Sequence, residues 1–137
     1  IIDAGADIIT IHQESTTRLY SCIEKIKSRG VKAGVVLSPA TNEDTLKYVL
    51  DKIDMILLMT INPGEAGPGF HEELLTKIKN VRELIGDRDI DLEVDGGIDN
   101  TNIAKCKEAG VNVFVSGGYV FKGDIAEKIK TLREALK

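Results

Sequence analysis

The chain is poor in cysteine and has no run of residues that would tie it to a membrane or a nucleic acid. Its two cysteines, Cys22 and Cys106, stand in helix-like segments with no CxxC pair and no flanking histidine at metal-ligand spacing. A disulfide framework and a cysteine metal knuckle are thereby excluded, and both thiols read as reduced packing residues. No apolar run approaches the length of a membrane span. The N-terminus lacks a basic region followed by an apolar stretch. A basic stripe is missing too: 18 Lys and Arg interleave with 22 Asp and Glu to a net charge of −4. Neither nucleic acid nor membrane is therefore expected as a partner. The expected partners are small molecules and the expected location is the cytoplasm.

What the chain does have is a repeated alternation. Asp3-Ala4-Gly5-Ala6-Asp7-Ile8-Ile9-Thr10-Ile11 is similar to Glu108-Ala109-Gly110-Val111-Asn112-Val113-Phe114-Val115. Each reads as a helix end, a glycine cap and a strand of β-branched residues. Further strands are predicted over Lys32–Ser38, Met55–Ile61 and Asp91–Asp95, nearly continuous in apolar character as buried parallel strands are. Apolar residues at spacings of three and four predict helices over Thr17–Arg29, Asn42–Leu50, Glu72–Ile85, Thr101–Glu108 and Asp124–Leu136. The class is α/β, five parallel strands alternating with helices.

Five such strands fit an open doubly wound sheet or part of a closed barrel. Every strand ends in a short polar or glycine-rich cluster: His12-Gln13-Glu14, Ser38-Pro39-Ala40-Thr41, Asn62-Pro63-Gly64, Asp95-Gly96-Gly97 and Gly117-Gly118. An open sheet gathers its site at one switch point, whereas a barrel collects residues from many strand ends around one mouth. The expectation is the C-terminal part of a TIM (β/α)8 barrel, one partial-barrel domain over residues 1–137. A complete barrel usually needs roughly 250 residues. Ile1-Ile2-Asp3-Ala4-Gly5 accordingly reads as the tail of a helix, so the chain is expected to begin mid-barrel.

Leu92-Glu93-Val94-Asp95-Gly96-Gly97-Ile98 carries the most chemistry. An apolar strand delivers one carboxylate and then two glycines to its C-terminal end, where barrel enzymes place catalytic acids. The plainer reading of Asp95 is a turn aspartate, and of the glycines a permitted turn. Backbone amides released by Gly96-Gly97 and Gly117-Gly118 suit a phosphate. Asn62-Pro63-Gly64-Glu65-Ala66-Gly67-Pro68-Gly69-Phe70 has the make-up of a hinged lid, or of a plain flexible connection.

These runs, with Gly34-Val35-Val36-Leu37-Ser38-Pro39-Ala40-Thr41, Met59-Thr60-Ile61-Asn62-Pro63-Gly64 and Val115-Ser116-Gly117-Gly118, resemble the ribulose-phosphate 3-epimerases along essentially the whole chain. Relatives acting on allulose 6-phosphate share the pattern. The resemblance implies barrel strands four to eight and epimerisation at carbon 3 of a ketose phosphate, D-ribulose 5-phosphate to D-xylulose 5-phosphate. Two acids on opposite faces move the proton, and one divalent metal (Zn, Fe, Mn or Co) stabilises an enediolate. Asp95 matches the acid that is also a metal ligand. The second acid and the other ligands lie on early strands that this sequence does not contain. Gly64, Glu65, Ala66 and Gly67 match lid positions that contact substrate, and Gly96, Gly97, Gly117 and Gly118 match the phosphate turns. Met59 matches an apolar wall beside the reacting carbon; as a residue it reads equally as core filler. The histidine matching His12 is not a ligand in the family, and His71 has no assigned role.

The chain departs from the pattern at Glu65, where Phe is usual, at Pro68, where Gln is, and at Gly118, where Ser is. A lid carboxylate repels phosphate unless it faces solvent. A lost hydroxyl donor weakens binding by about 1 kcal/mol. The alternatives to an epimerase are a non-catalytic half-barrel or interaction subunit. Other phosphate-binding barrels, decarboxylases and isomerases among them, also place acids before glycines, and Met-Thr-x-Asn-Pro-Gly with Ser-Pro-Ala-Thr argues against those. Two unpaired sheet edges in an isolated five-strand piece predict a homo-oligomer or aggregation.

Overall fold

The computed structural model of the chain describes residues 1–65 and 69–137. Five strands, β1 (Ile8–His12), β2 (Lys32–Leu37), β3 (Met55–Met59), β4 (Asp91–Asp95) and β5 (Val113–Val115), form one sheet among the described residues, all parallel and adjacent in chain order. That order decides between the two architectures. A doubly wound sheet reverses direction at a switch point; a barrel adds each strand beside the last. Helices α1 (Leu19–Ser28), α2 (Leu74–Ile85), α3 (Ile103–Ala109), α4 (Gly118–Phe121) and α5 (Ile125–Ala135) connect or follow the strands.

Alternation along each strand splits the sheet into two faces. Ala33, Val35, Leu37, Ile56, Leu58, Leu92 and Val94 pack against Ile23 of α1, Ile78, Val81 and Ile85 of α2 and Cys106 of α3, and all are essentially buried. Each Val, Leu or Ile among them contributes about 1.5–3 kcal/mol. The opposite face carries Ile8, Thr10 and His12, then Gly34 and Val36, Met55, Leu57 and Met59, Asp91, Glu93 and Asp95, and Val113 and Val115. Ile8 is exposed there, while Val36 is almost fully buried.

Two expectations need correction. The segment predicted as a helix over Asn42–Leu50 is instead a pair of 3-10 turns, Glu43–Leu46 and Leu50–Lys52. Asn42 caps the first by accepting from the Asp44 amide at 2.8 Å, and three-residue backbone bonds such as Lys47 to Asp44 and Val49 to Leu46 run through it. Leu46, Val49, Leu50 and Ile53 are buried at the three-and-four spacing of an α-helix, although the backbone takes 3-10 turns. The N-terminal helix tail is likewise a single 3-10 turn, Ile2–Ala4. α4 was not anticipated; it is one short turn after the Gly117 that caps it.

Candidate active site

β4 carries Asp95 to its C-terminal end, in register with Met59 of β3 on one side and Val115 of β5 on the other. Two apolar neighbours and partial burial push the carboxyl of Asp95 above its ordinary range. No hydrogen-bond donor among the described residues reaches that carboxylate. Two residues earlier on the same face, Glu93 is also pushed up, by burial first and then by the charges of Asp95 and Asp91.

The turn after Asp95 needs its glycines. Gly96 and Gly97 hold φ of 132° and 68°. A Cβ on Gly96 would lie 2.6 Å from Ile61 Cγ1, and one on Gly97 2.7 Å from the Phe70 amide nitrogen. The close approach that demands glycine is therefore to the chain's own β3 loop at both of its ends. Their amides, with that of Ile98, donate to no acceptor among the described residues. Gly117 and Gly118 differ: neither has positive φ, and a Cβ on either would meet nothing within 4 Å. Because Asp95 and Val115 are in register, the two turns leave the sheet side by side, and Ser116 Oγ donates to Ile98 O at 2.7 Å between them.

At the lid, Asn62-Pro63-Gly64-Glu65 closes a turn with Gly64 at φ 82° and the Glu65 amide donating to Asn62 O at 3.1 Å. The Glu65 side chain is exposed and accepts from Asn62 Nδ2 at 3.2 Å. Glu65 therefore faces solvent. Ala66, Gly67 and Pro68 lie outside the described residues. His12 ends β1 half-buried on the Asp95 face, whereas exposed His71 sits 3.9 Å from Glu73 at the start of the α2 region.

Two side chains at this end of the sheet had no assigned role in the sequence. Glu14 Oε1 accepts from the Ser38 amide at 2.7 Å. Burial alone would raise its carboxyl, but bonds from Ser38 outweigh that and hold it below the ordinary range. Lys77 of α2, only 8% exposed, donates to the carbonyls of Ser38, Pro39 and Thr41 at 2.9, 3.0 and 2.6 Å. Burial lowers its ammonium. The signal was faint: a lysine one residue before Ile78 and four before Val81, on the apolar stripe of α2.

No group of three or more His, Cys, Asp or Glu side chains that could hold a metal ion lies among the described residues. Asp95 offers one unengaged carboxylate, which is one ligand and not a centre. The arrangement supplies a half-desolvated acid between apolar walls, beside two turns with unengaged backbone amides. That combination suits proton transfer next to an anionic group.

Comparison with known proteins gives the family and the fold. The model of the ribulose-phosphate 3 epimerase family matches residues 1–121. The chain is 43% identical over 137 residues to a chloroplastic ribulose-5-phosphate-3-epimerase of Arabidopsis thaliana, covering 96% of this chain and 49% of that protein. It is 48% identical over 120 residues to a ribulose-phosphate 3-epimerase of Serratia marcescens, covering 86% of this chain and 57% of that one. The chain thus spans about half the length of these curated relatives. Among solved structures it is similar to a 3-hexulose-6-phosphate synthase, with a TM-score of 0.74 and 25% identity over 99% of this chain and 65% of that one. A 3-keto-L-gulonate-6-phosphate decarboxylase from Vibrio cholerae, TM-score 0.75 at 20% identity over 98% of this chain and 63% of that one, shares the fold. These neighbours are TIM-barrel enzymes, and the sequential parallel sheet is part of such a barrel. With strand order, motif order and identity in agreement along nearly its whole length, the chain belongs to the ribulose-phosphate 3-epimerase family.

Proposed function

We propose that this chain supplies one acid and the phosphate-holding turns of a ketose-phosphate 3-epimerase, with its five strands as the fourth to eighth of the barrel. The substrate pair is D-ribulose 5-phosphate and D-xylulose 5-phosphate. The observation that carries the reading is the row Met59–Asp95–Val115, opening onto two adjacent turns joined by Ser116. In this reading Asp95 takes the proton from carbon 3 on one face. Met59 packs beside the reacting carbon. Gly64, Glu65, Ala66 and Gly67 cover the sugar, and the amides about Gly96, Gly97, Gly117 and Gly118 hold the phosphate.

The returning proton comes from an acid that other residues of the barrel must provide. Asp95 is also proposed as the carboxylate ligand of one divalent ion, zinc, iron, manganese or cobalt, whose remaining donors lie outside the described residues. Such an ion, if bound, would supply positive charge against the oxygens on carbons 2 and 3. No helix among the described residues is long and apolar enough to cross a membrane. A cytoplasmic site of action is supported by the two unpaired cysteines and is tested by fractionation.

The direct test joins this chain to the first three βα units of the Escherichia coli relative, to which it is 43% identical over 136 residues. Epimerisation is then followed for ribulose 5-phosphate and, separately, allulose 6-phosphate. The expected result is activity on the pentulose phosphate that Asp95→Asn abolishes. Activity that survives Asp95→Asn sinks the assignment of the acid. A folded, inactive product supports the interaction-subunit reading, whose physical basis is the open edges of β1 and β5.

A further inference from the structure

Gly96, Gly97 and Ile98 present three successive carbonyls, and each is taken by a side chain from a different part of the chain. Thr60 Oγ1, just past β3, donates to Gly96 O at 2.5 Å. Asn102 Nδ2, before α3, donates to Gly97 O at 2.8 Å, while its Oδ1 accepts from the Asp99 amide at 3.0 Å. Ser116 Oγ, past β5, donates to Ile98 O at 2.7 Å. Thr60 has a second hold, because its own amide donates to Asp95 O at 2.9 Å. Thr60 and Asn102 are buried, at 0% and 7% exposure.

A trans peptide is planar and its N–H points opposite to its C=O. Fixing Gly96 O therefore fixes the Gly97 N–H on the side away from Thr60, and fixing Gly97 O does the same for the Ile98 N–H. Those are two of the amides that no acceptor among the described residues takes. A turn with two positive-φ glycines is otherwise pliable. Solvent would compete for its carbonyls and its amides alike.

We propose that Thr60, Asn102 and Ser116 are positioning residues that act through the backbone. By holding the carbonyls of Gly96, Gly97 and Ile98 they fix the turn after Asp95 and orient its amides as a preformed anion-holding edge. The edge rests on the sugar-phosphate reading above for its ligand, a phosphate monoester. The clamp itself does not. Thr60 is placed to couple the two tasks, since one residue grips both the carbonyl of the acid and that of the glycine after it.

The test uses the isotopically labelled chain and follows backbone order parameters at Gly97, Ile98 and Asp99, then the shifts of the Gly97 and Ile98 amides on titration with inorganic phosphate. Thr60→Val keeps the shape and loses the hydroxyl; Thr60→Ser keeps the hydroxyl and loses the methyl. The expected result is a loss of order at Gly97 in Thr60→Val and at Asp99 in Ser116→Ala, with β2 and α1 unchanged. Thr60→Ser is expected to keep the order of the wild type. Phosphate is expected to bind Thr60→Val about 5-fold more weakly than Thr60→Ser. Unchanged order and unchanged phosphate affinity in both hydroxyl-deleted variants overturn the proposal. Should Thr60→Val fail to fold, Ser116→Ala decides alone, because Ser116 is only half-buried. Clamp-dependent order at amides that ignore phosphate supports the clamp and overturns the sugar-phosphate reading instead.

Discussion

Asp54 and Asp95 are the same chemical group at opposite ends of neighbouring strands, and the chain treats them in opposite ways. Asp54 precedes β3 at the N-terminal end of the sheet. Its Oδ2 accepts from Lys27 Nζ at 2.7 Å and from the Ala33 amide at 2.9 Å. Burial alone would push it up, but the bonds from Lys27 and Ala33 and the charges of Lys27 and Lys32 hold it below the ordinary carboxylate range. Its carbonyl accepts from the Asp91 amide, and next to it Asn112 bridges Leu92 N and Asp91 Oδ1. Asp95 ends β4 with no donor among the described residues and a raised pKa. One end of the sheet spends its polar groups on one another; the other leaves an acid and several amides unspent. In barrels that division separates the end that stabilises from the end that reacts.

Changes that erase this difference have the largest expected effect. In the completed barrel, Asp95→Asn is expected to cut epimerisation by about 10²- to 10⁴-fold, the range of a lost general base. In the completed barrel the rate is expected to fall as acid protonates Asp95, because the base must be ionised. The same variant sharpens the stability side. A raised folded-state pKa contributes stability below the unfolded value that is lost as pH rises through the folded one. Asp95→Asn is therefore expected to melt higher than wild type at pH 7, with the gap closing below about pH 4. A lower melting temperature at pH 7 would show that the carboxylate has a donor after all.

Next in size are the glycine turns. Gly96→Ala adds a methyl 2.6 Å from Ile61 Cγ1 at a φ of 132°. Strain and overpacking together are expected to cost about 2–4 kcal/mol in urea denaturation. Gly117→Ala, with open space and negative φ, is expected to change stability by less than about 0.5 kcal/mol. Equal costs would mean that the two turns are not different in kind.

Asp54→Asn comes third, at about 1–2 kcal/mol near neutral pH from its two lost charge-assisted bonds. Its sign is the reverse of Asp95. A depressed folded-state pKa contributes stability above the unfolded value that is lost as pH falls through the folded one. The deficit of Asp54→Asn against wild type is expected to shrink below about pH 4 in thermal melts. Smallest is Gly118→Ser, which fits the open space there. A gain of about 1 kcal/mol in phosphate affinity by calorimetry is expected. No gain would place the anion elsewhere.

Much of this was legible in the linear chain. The strand predicted over Asp91–Asp95 has those bounds, and the helices over Glu72–Ile85 and Asp124–Leu136 shorten by only one or two residues at an end. Short β-branched runs between turn residues favour strands, and long apolar stripes at spacings of three and four favour helices. The segment Asn42–Leu50 was misread because its buried Leu46, Val49 and Leu50 keep helical spacing while the backbone takes two 3-10 turns. At the site, Asp95 and its glycines announced themselves by residue type. Glu14, Lys77, Thr60, Asn102 and Ser116 did not, since their partners are backbone atoms 5 to 39 positions away.

The sequence by itself determined that strands and helices alternate, that every strand ends in polar or glycine-rich residues, and which acid stands before which glycines. Those are local properties, set by periodicity and by the conformations each residue tolerates. Only the tertiary structure decided that the strands add in sequential order, that Asp95 lies between Met59 and Val115, and that Gly97 is a glycine because Phe70 returns against it. It also decided that Asp54 is paired and that Asp95 meets no donor among the described residues. Register, close approach and desolvation are relations between distant segments, and no single stretch of chain contains them.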